Sequence, residues 1–237
     1  MKQGRLTVGI IGSDVAGVAI AQALQEAGHL VIARTATEFE SVDRIEAVFP
    51  TAKQLSEAEV CAEVDLVLLA IKHDQITKLV QDFADRKLWR GGQLVVHTAY
   101  EYGHEVLSPA TMQGVIPLAI SPAMRFTGTS IDLARFKESY FAVSAPQVAL
   151  PIAEALVIEM GAEPIVVLDA NRKAFAEAIT VAGNFSAMIV NQAIGLLEQA
   201  AVENPALVLS PVVRSAVDQA LSRGHRQIDP EDLIGEP

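Results

Sequence analysis

The sequence predicts an α/β fold: a doubly wound, mostly parallel sheet with helices on both faces, followed by a small all-α C-terminal domain. Three observations predict it. Short apolar, β-rich runs alternate with helical patterns from the N-terminus to about residue 168. One run, Asp65–Ile71 (DLVLLAI), is continuously apolar, as a strand covered on both faces must be. After Asp169 the pattern becomes helical and stays so. The expected domains are therefore residues 1–168 and 169–237.

The elements follow in order. Leu6–Ile11 reads as a strand, and Val15–Ala27 carries apolar residues at helical spacing, with Gly28 suited to the left-handed stop behind it. Leu30–Ala33 is a second strand. Ser56–Glu59 has the Ser-x-x-Glu form of a capping box, so a helix starts there. Beyond Asp65–Ile71, the runs Gln93–His97, Val115–Ile120, Tyr140–Val143 and Pro164–Leu168 are strand candidates. Val148–Met160 is a helix that Gly161 ends. From Asp169 to about Gln199 the chain is helical, and a last helix is expected near Pro211–Leu221, ending before Gly224. No internal repeat is present.

Composition narrows the function. The chain has 237 residues, 51% of them hydrophobic and 20% charged, which suits a globular protein with a sizeable core. Its net charge of −11 repels nucleic acid and anionic membranes, so neither is an expected partner. Cys61 is the only cysteine, which leaves no intrachain disulfide and fits a reducing, cytoplasmic setting. The opening MKQGRLTVGIIG is too short in its apolar run for a secretory signal. Residues 178–197 contain no charge and are long enough to span a bilayer, but Asn184, Asn191 and Gln192 within them favour a helix buried in a core or a dimer interface.

Chemistry concentrates at the ends of the strands. The stretch GIIGSDVAG, residues 9–17, sits between a strand and a helix, where a dinucleotide fingerprint belongs. Gly12 fits its first glycine, for the sharp turn, and Gly17 its third, for close packing of helix on strand. Asp14 stands at the second, where the backbone normally approaches a pyrophosphate. Gly12, Ser13, Asp14, Val15 and Gly17 are thus the candidate phosphate loop. At the end of the second strand an acidic residue would select NAD. This chain has Arg34 followed by Thr35 and Thr37, and an arginine there suits the 2′-phosphate of NADP. His97 and Thr98 end a strand on the side where such sheets place ligands, which makes His97 a candidate general acid. Arg125 is a candidate for holding a substrate carboxylate. The five histidines show no metal-ligand spacing, so no metal site is expected.

Five blocks in this order, TVGIIGSDVAGVAIAQALQEAGHLV, DLVLLAIKHDQI, GGQLVVHTAYEYG, SPAMRFTGT and DANRKAFAEAITVAGNFSAM, resemble the Rossmann-like NAD(P)-dependent oxidoreductases that carry a helical domain of unknown function. These belong to the 6-phosphogluconate-dehydrogenase-like superfamily, near ketopantoate and pyrroline-5-carboxylate reductases. The resemblance covers residues 5–222. It implies an N-terminal dinucleotide domain, a helical domain that dimerises, Asn184 facing a cleft near the nicotinamide, and Lys72 beside the cofactor. Departures from the family pattern are Asp14, Lys72 and His73 ahead of Asp74, Ala99 and Tyr100 after His97 and Thr98, and Ser121 before PAMRFTGT. The leading expectation is a homodimeric NADP-dependent oxidoreductase acting on a small carbonyl or imine compound, with His97 and Asn184 polarising the substrate. The rival is a non-enzymatic dimeric module that has lost dinucleotide binding through Asp14 and has no cofactor.

Overall fold

The structure is a computed structural model that describes residues 5–35, 45–129 and 131–224. Eight strands form one sheet: β1 Thr7–Gly12, β2 Leu30–Thr35, β3 Lys53–Leu55, β4 Leu66–Ala70, β5 Leu94–His97, β6 Ile116–Pro122, β7 Tyr140–Ser144 and β8 Glu163–Val166. Their order is β3-β2-β1-β4-β5-β6-β7-β8. All neighbours are parallel except β6 and β7, which run against each other. The switch of direction around β1 is the crevice where such sheets bind ligands.

Alternation along β4 explains why the run reads as continuously apolar. Leu66, Leu68 and Ala70 enter one hydrophobic cluster, and Val67 and Leu69 the opposite one. On the first face lie α1 (Val15–Glu26), α5 (Ile131–Phe136) and α6 (Leu150–Glu159). On the second lie α2 (Glu57–Glu63), α3 (Ile76–Asp85) and α4 (Ser108–Thr111). Each large side chain so buried contributes about 1.5–3 kcal/mol. Cys61 lies in the second cluster with no exposure, and burial, helped by the charge of Glu57 and opposed by that of Arg86, pushes its thiol up to about 12.

Local signals perform as read. Gly28, at φ +101°, closes α1 in a Schellman arrangement: its amide donates to Gln25 O and that of His29 to Leu24 O, at 3.0 Å each. Ser56 and Glu59 form a reciprocal capping box at α2. The second strand runs two residues further than expected, to Thr35, because pairing with β3 extends it. β3 itself, three residues at the sheet edge, is too short to show a periodicity in the sequence.

Helices α7 (Arg172–Gln199) and α8 (Pro205–Arg223) are the last elements among the described residues. The last helix starts six residues before the expected Pro211, which lies inside it. Pro205 takes the first turn, where a missing amide costs nothing, and so opens the helix earlier. The chain divides into two compact units, Met1–Ile179 and Thr180–Pro237, within α7. Asp169–Gln199 is long and apolar enough to cross a membrane, at a mean hydropathy of 1.3. The expected helix is one buried in a core or a dimer interface; within a single chain much of it is exposed. Phe185, Met188 and Ile189 are each more than half exposed, because α8 and the greater part of α7, the described helices of the second unit, offer each other too little cover.

Candidate active site at the carboxyl ends of the strands

The glycine turn is built as a close approach of backbone to backbone. Gly12 adopts φ +93°, and a Cβ on it would lie 2.2 Å from Ala70 O. A Cβ on Gly17 would lie 2.4 Å from Ala70 Cβ. Both glycines let α1 start hard against β4. The amide of Gly12 donates to Thr35 Oγ1 at 3.1 Å, so Thr35 pins the turn to the end of β2. Val15 is the first residue of α1, and Ser13 stands between Gly12 and Asp14 in the turn.

Asp14 is the N-cap of α1. Its Oδ2 accepts from the amide of Ala16 at 3.2 Å, and its own amide donates to Ala70 O at 2.8 Å. A carboxylate therefore occupies one of the helix-start donors that an anion would use.

Arg34 ends up in a different setting from the one its position suggests. It is 5% exposed, with Nη2 donating to Glu46 Oε1 at 2.7 Å and Nη1 to Gln54 Oε1 at 3.2 Å, while its buried Nε finds no partner among the described residues. The guanidinium is held by a carboxylate whose side chain is 53% exposed. Thr37 lies outside the described residues. Lys72, exposed, follows β4 and leads into the turn His73–Gln75.

The end of β5 departs most from the expectation. His97 is fully buried; its Nε2 donates to Gly103 O at 3.0 Å and its Nδ1 has no partner. Burial lowers its pKa to about 4, with the charge of Arg172 adding to the effect and the Gly103 bond and Asp169 opposing it. The ring is neutral at pH 7 and holds the loop after β5. Thr98 is likewise buried, with an unpartnered hydroxyl. Ser121 donates to Ala99 O at 2.9 Å and accepts from Arg172 Nη1 at 3.1 Å.

Two residues beside the site escaped the sequence reading as functional groups. Tyr100 follows β5 in the loop that His97 holds: burial, together with the charge of Asp14, pushes its phenol up to about 12. Its hydroxyl donates to Met124 O at 3.1 Å, and its ring meets His73 edge-on at 5.6 Å and Phe175 at 6.5 Å. Arg172 has no exposure and bonds Ser121 Oγ, Ala119 O and Ala142 O; burial lowers it to about 10 against the pull of Asp169. Tyr100 departs from the family pattern, which was the available signal. Nothing local marks Arg172, because its partners lie 30 to 53 residues away. The first unit thus brings Gly12, Ser13, Asp14, Val15, Gly17 and Thr35 together at one turn. Asn184, exposed and engaged in an interaction of its own, belongs to the second unit.

A parallel sheet with a glycine turn opening its first helix defines a dinucleotide-type α/β protein. The chain belongs to the Rossmann-like domain family, which matches residues 1–122; residues 139–228 match a domain of unknown function, DUF2520. No curated protein sequence matches it. Among solved structures it is similar to a Bacteroides fragilis protein provisionally described as an NADP oxidoreductase (19% identity, 98% of this chain and 85% of that one, TM-score 0.73). It is also similar to 1-pyrroline-5-carboxylate reductase from Streptococcus pyogenes (17%, 98% and 86%, 0.68). A third is a semialdehyde dehydrogenase NAD-binding protein from Cupriavidus necator, solved with calcium and NAD (14%, 97% and 88%, 0.65).

Proposed function

We propose that the chain is an NADP-dependent oxidoreductase that reduces a small carbonyl or imine compound, working as a homodimer in the cytoplasm. The observation that carries this reading is the glycine turn, where Gly12 and Gly17 bring the start of α1 within contact of Ala70. Such a start presents amides and a positive dipole end to a pyrophosphate. When bound, the nicotinamide supplies the hydride. Arg34 would take the 2′-phosphate on leaving Glu46, and exposed Lys72 would neutralise the pyrophosphate. Tyr100, protonated at neutral pH and close to Asp14, is the donor best placed to protonate a reduced substrate; His97 positions the loop that carries it. Val181, Phe185, Met188 and Ile189 leave an apolar helix face that a second copy would cover.

One observation favours a second reading, a module without a dinucleotide: Asp14 already fills the Ala16 amide. Titration of the full chain with NADPH and NADH, followed by nicotinamide fluorescence, decides between them. Saturable binding of NADPH supports the oxidoreductase. No binding by the chain or by its Asp14→Gly variant supports the module.

A further inference from the structure

We propose a second small-molecule site in the first unit, centred on His104, that takes an organic ammonium with an apolar body. Its position follows from the topology. Ser144, at the end of β7, pairs with Ala119 of β6, which pairs with His97 of β5, so the site lies level with the end of β5 and is displaced sideways across the sheet from the glycine turn. Four strand spacings separate β1 from β7, about 19 Å at ~4.8 Å each. The site therefore does not depend on the cofactor reading.

The site is a pocket of about 410 Å³, with His104, Glu105 and Gln147 on its polar side and Leu150, Val166 and Leu168 on its apolar side. A pocket of this size holds a six-membered ring and one polar group. Its floor is a hydrogen-bonded network. Ser144 Oγ donates to Asp169 Oδ1 and accepts from the His104 amide at 3.0 Å; the Glu105 amide donates to Asp169 Oδ2 at 2.9 Å. His104 Nδ1 lies 2.8 Å from Ser144 Oγ and 3.1 Å from Asp169 Oδ1. The serine hydroxyl donates to Asp169, so Nδ1 brings its own proton to the pair. The arrangement needs a glycine beside it, since a Cβ on Gly103 would lie 1.9 Å from the Asp169 carboxyl carbon.

Two carboxylates thus border one pocket: that of Asp169, in its floor, and that of the exposed Glu105. Both call for a donor and favour one with positive charge. Glu105 and Asp169 repel an anion. Leu150, Val166 and Leu168 call for an apolar body.

The test titrates cyclohexylammonium, cyclohexanol and cyclohexanecarboxylate into the full chain, labelled at methyl groups and histidine nitrogens, and reads NMR shifts. Cyclohexylammonium is expected to shift the Leu150 and Val166 methyls and the His104 nitrogens saturably. Cyclohexanol should bind at least about fivefold more weakly, and the carboxylate not at all. Glu105→Gln leaves the Asp169 network in place and should weaken ammonium binding about five- to tenfold; His104→Phe should abolish it. Equal binding of all three probes, no saturable shift, or an unchanged Glu105→Gln variant would overturn the proposal.

Discussion

Replacing Asp14 by asparagine separates its two effects, because asparagine caps a helix as well as aspartate does but carries no charge. The carboxylate sits on the Ala16 amide at 3.2 Å. A phosphate oxygen approaching the same helix start would come within about 4 Å of it. At an effective dielectric near 20 that repulsion is about 4 kcal/mol, close to a thousandfold in affinity. Solvent at the open turn and Lys72 nearby reduce it, so a tenfold gain is a conservative expectation for Asp14→Asn and for Asp14→Gly. The cost to the fold is small: a few tenths of a kcal/mol for the glycine cap and about 0.3–1 kcal/mol of lost helix-dipole interaction for the asparagine. Fluorescence titration with NADPH reads the affinity, and thermal melting reads the fold, with a Tm change of no more than about 4 °C. Micromolar NADPH binding by the unmutated chain, or equal affinity in all three proteins, would refute the reasoning.

On the proposed reading a 2′-phosphate would compete with Glu46 for Arg34, so Glu46→Gln should tighten NADPH about tenfold and leave NADH unchanged, while Arg34→Ala should weaken NADPH alone about ten- to a hundredfold; equal effects on both cofactors would place Arg34 elsewhere. Tyr100→Phe keeps the ring and removes the donor, and should lower kcat for reduction of small cyclic imines about a hundredfold with KM little changed. His97 titrates near 4 when folded against about 6.5 unfolded, so its contribution is complete above pH 6.5 and is lost as pH falls towards 4, about 3 kcal/mol in all. Urea midpoints at pH 4.5 and 7 should differ less in His97→Gln than in the parent. Leu68→Ala opens a cavity inside the first cluster and should cost about 2–5 kcal/mol by urea unfolding.

Features set by a residue and its near neighbours were legible in the sequence. The turn at Gly12, the stop at Gly28, the capping box at Ser56 and the two-faced burial of β4 all depend on a short stretch of chain. Direction of a side chain was not legible where its partner is distant. Arg34 sits at the expected strand end, but Glu46 and Gln54, 12 and 20 residues on, decide where its guanidinium goes. His97 ends a strand as read, yet the fold of the following loop brings Gly103 O over it and seals it from solvent. The His104, Ser144 and Asp169 network joins residues up to 65 apart and leaves no local trace.

The sealed thiol of Cys61 turns the protein into its own clock. A thiol reagent cannot reach a side chain with no exposure, nor react with a thiol whose ionisation lies near 12, until the layer of α2 over β1 and β2 opens. With one cysteine in the chain, every labelled molecule records one such opening. Labelling at rising reagent concentration therefore separates how often this face opens from how long it stays open. The same number predicts how fast the protein ages in an oxidising cell extract.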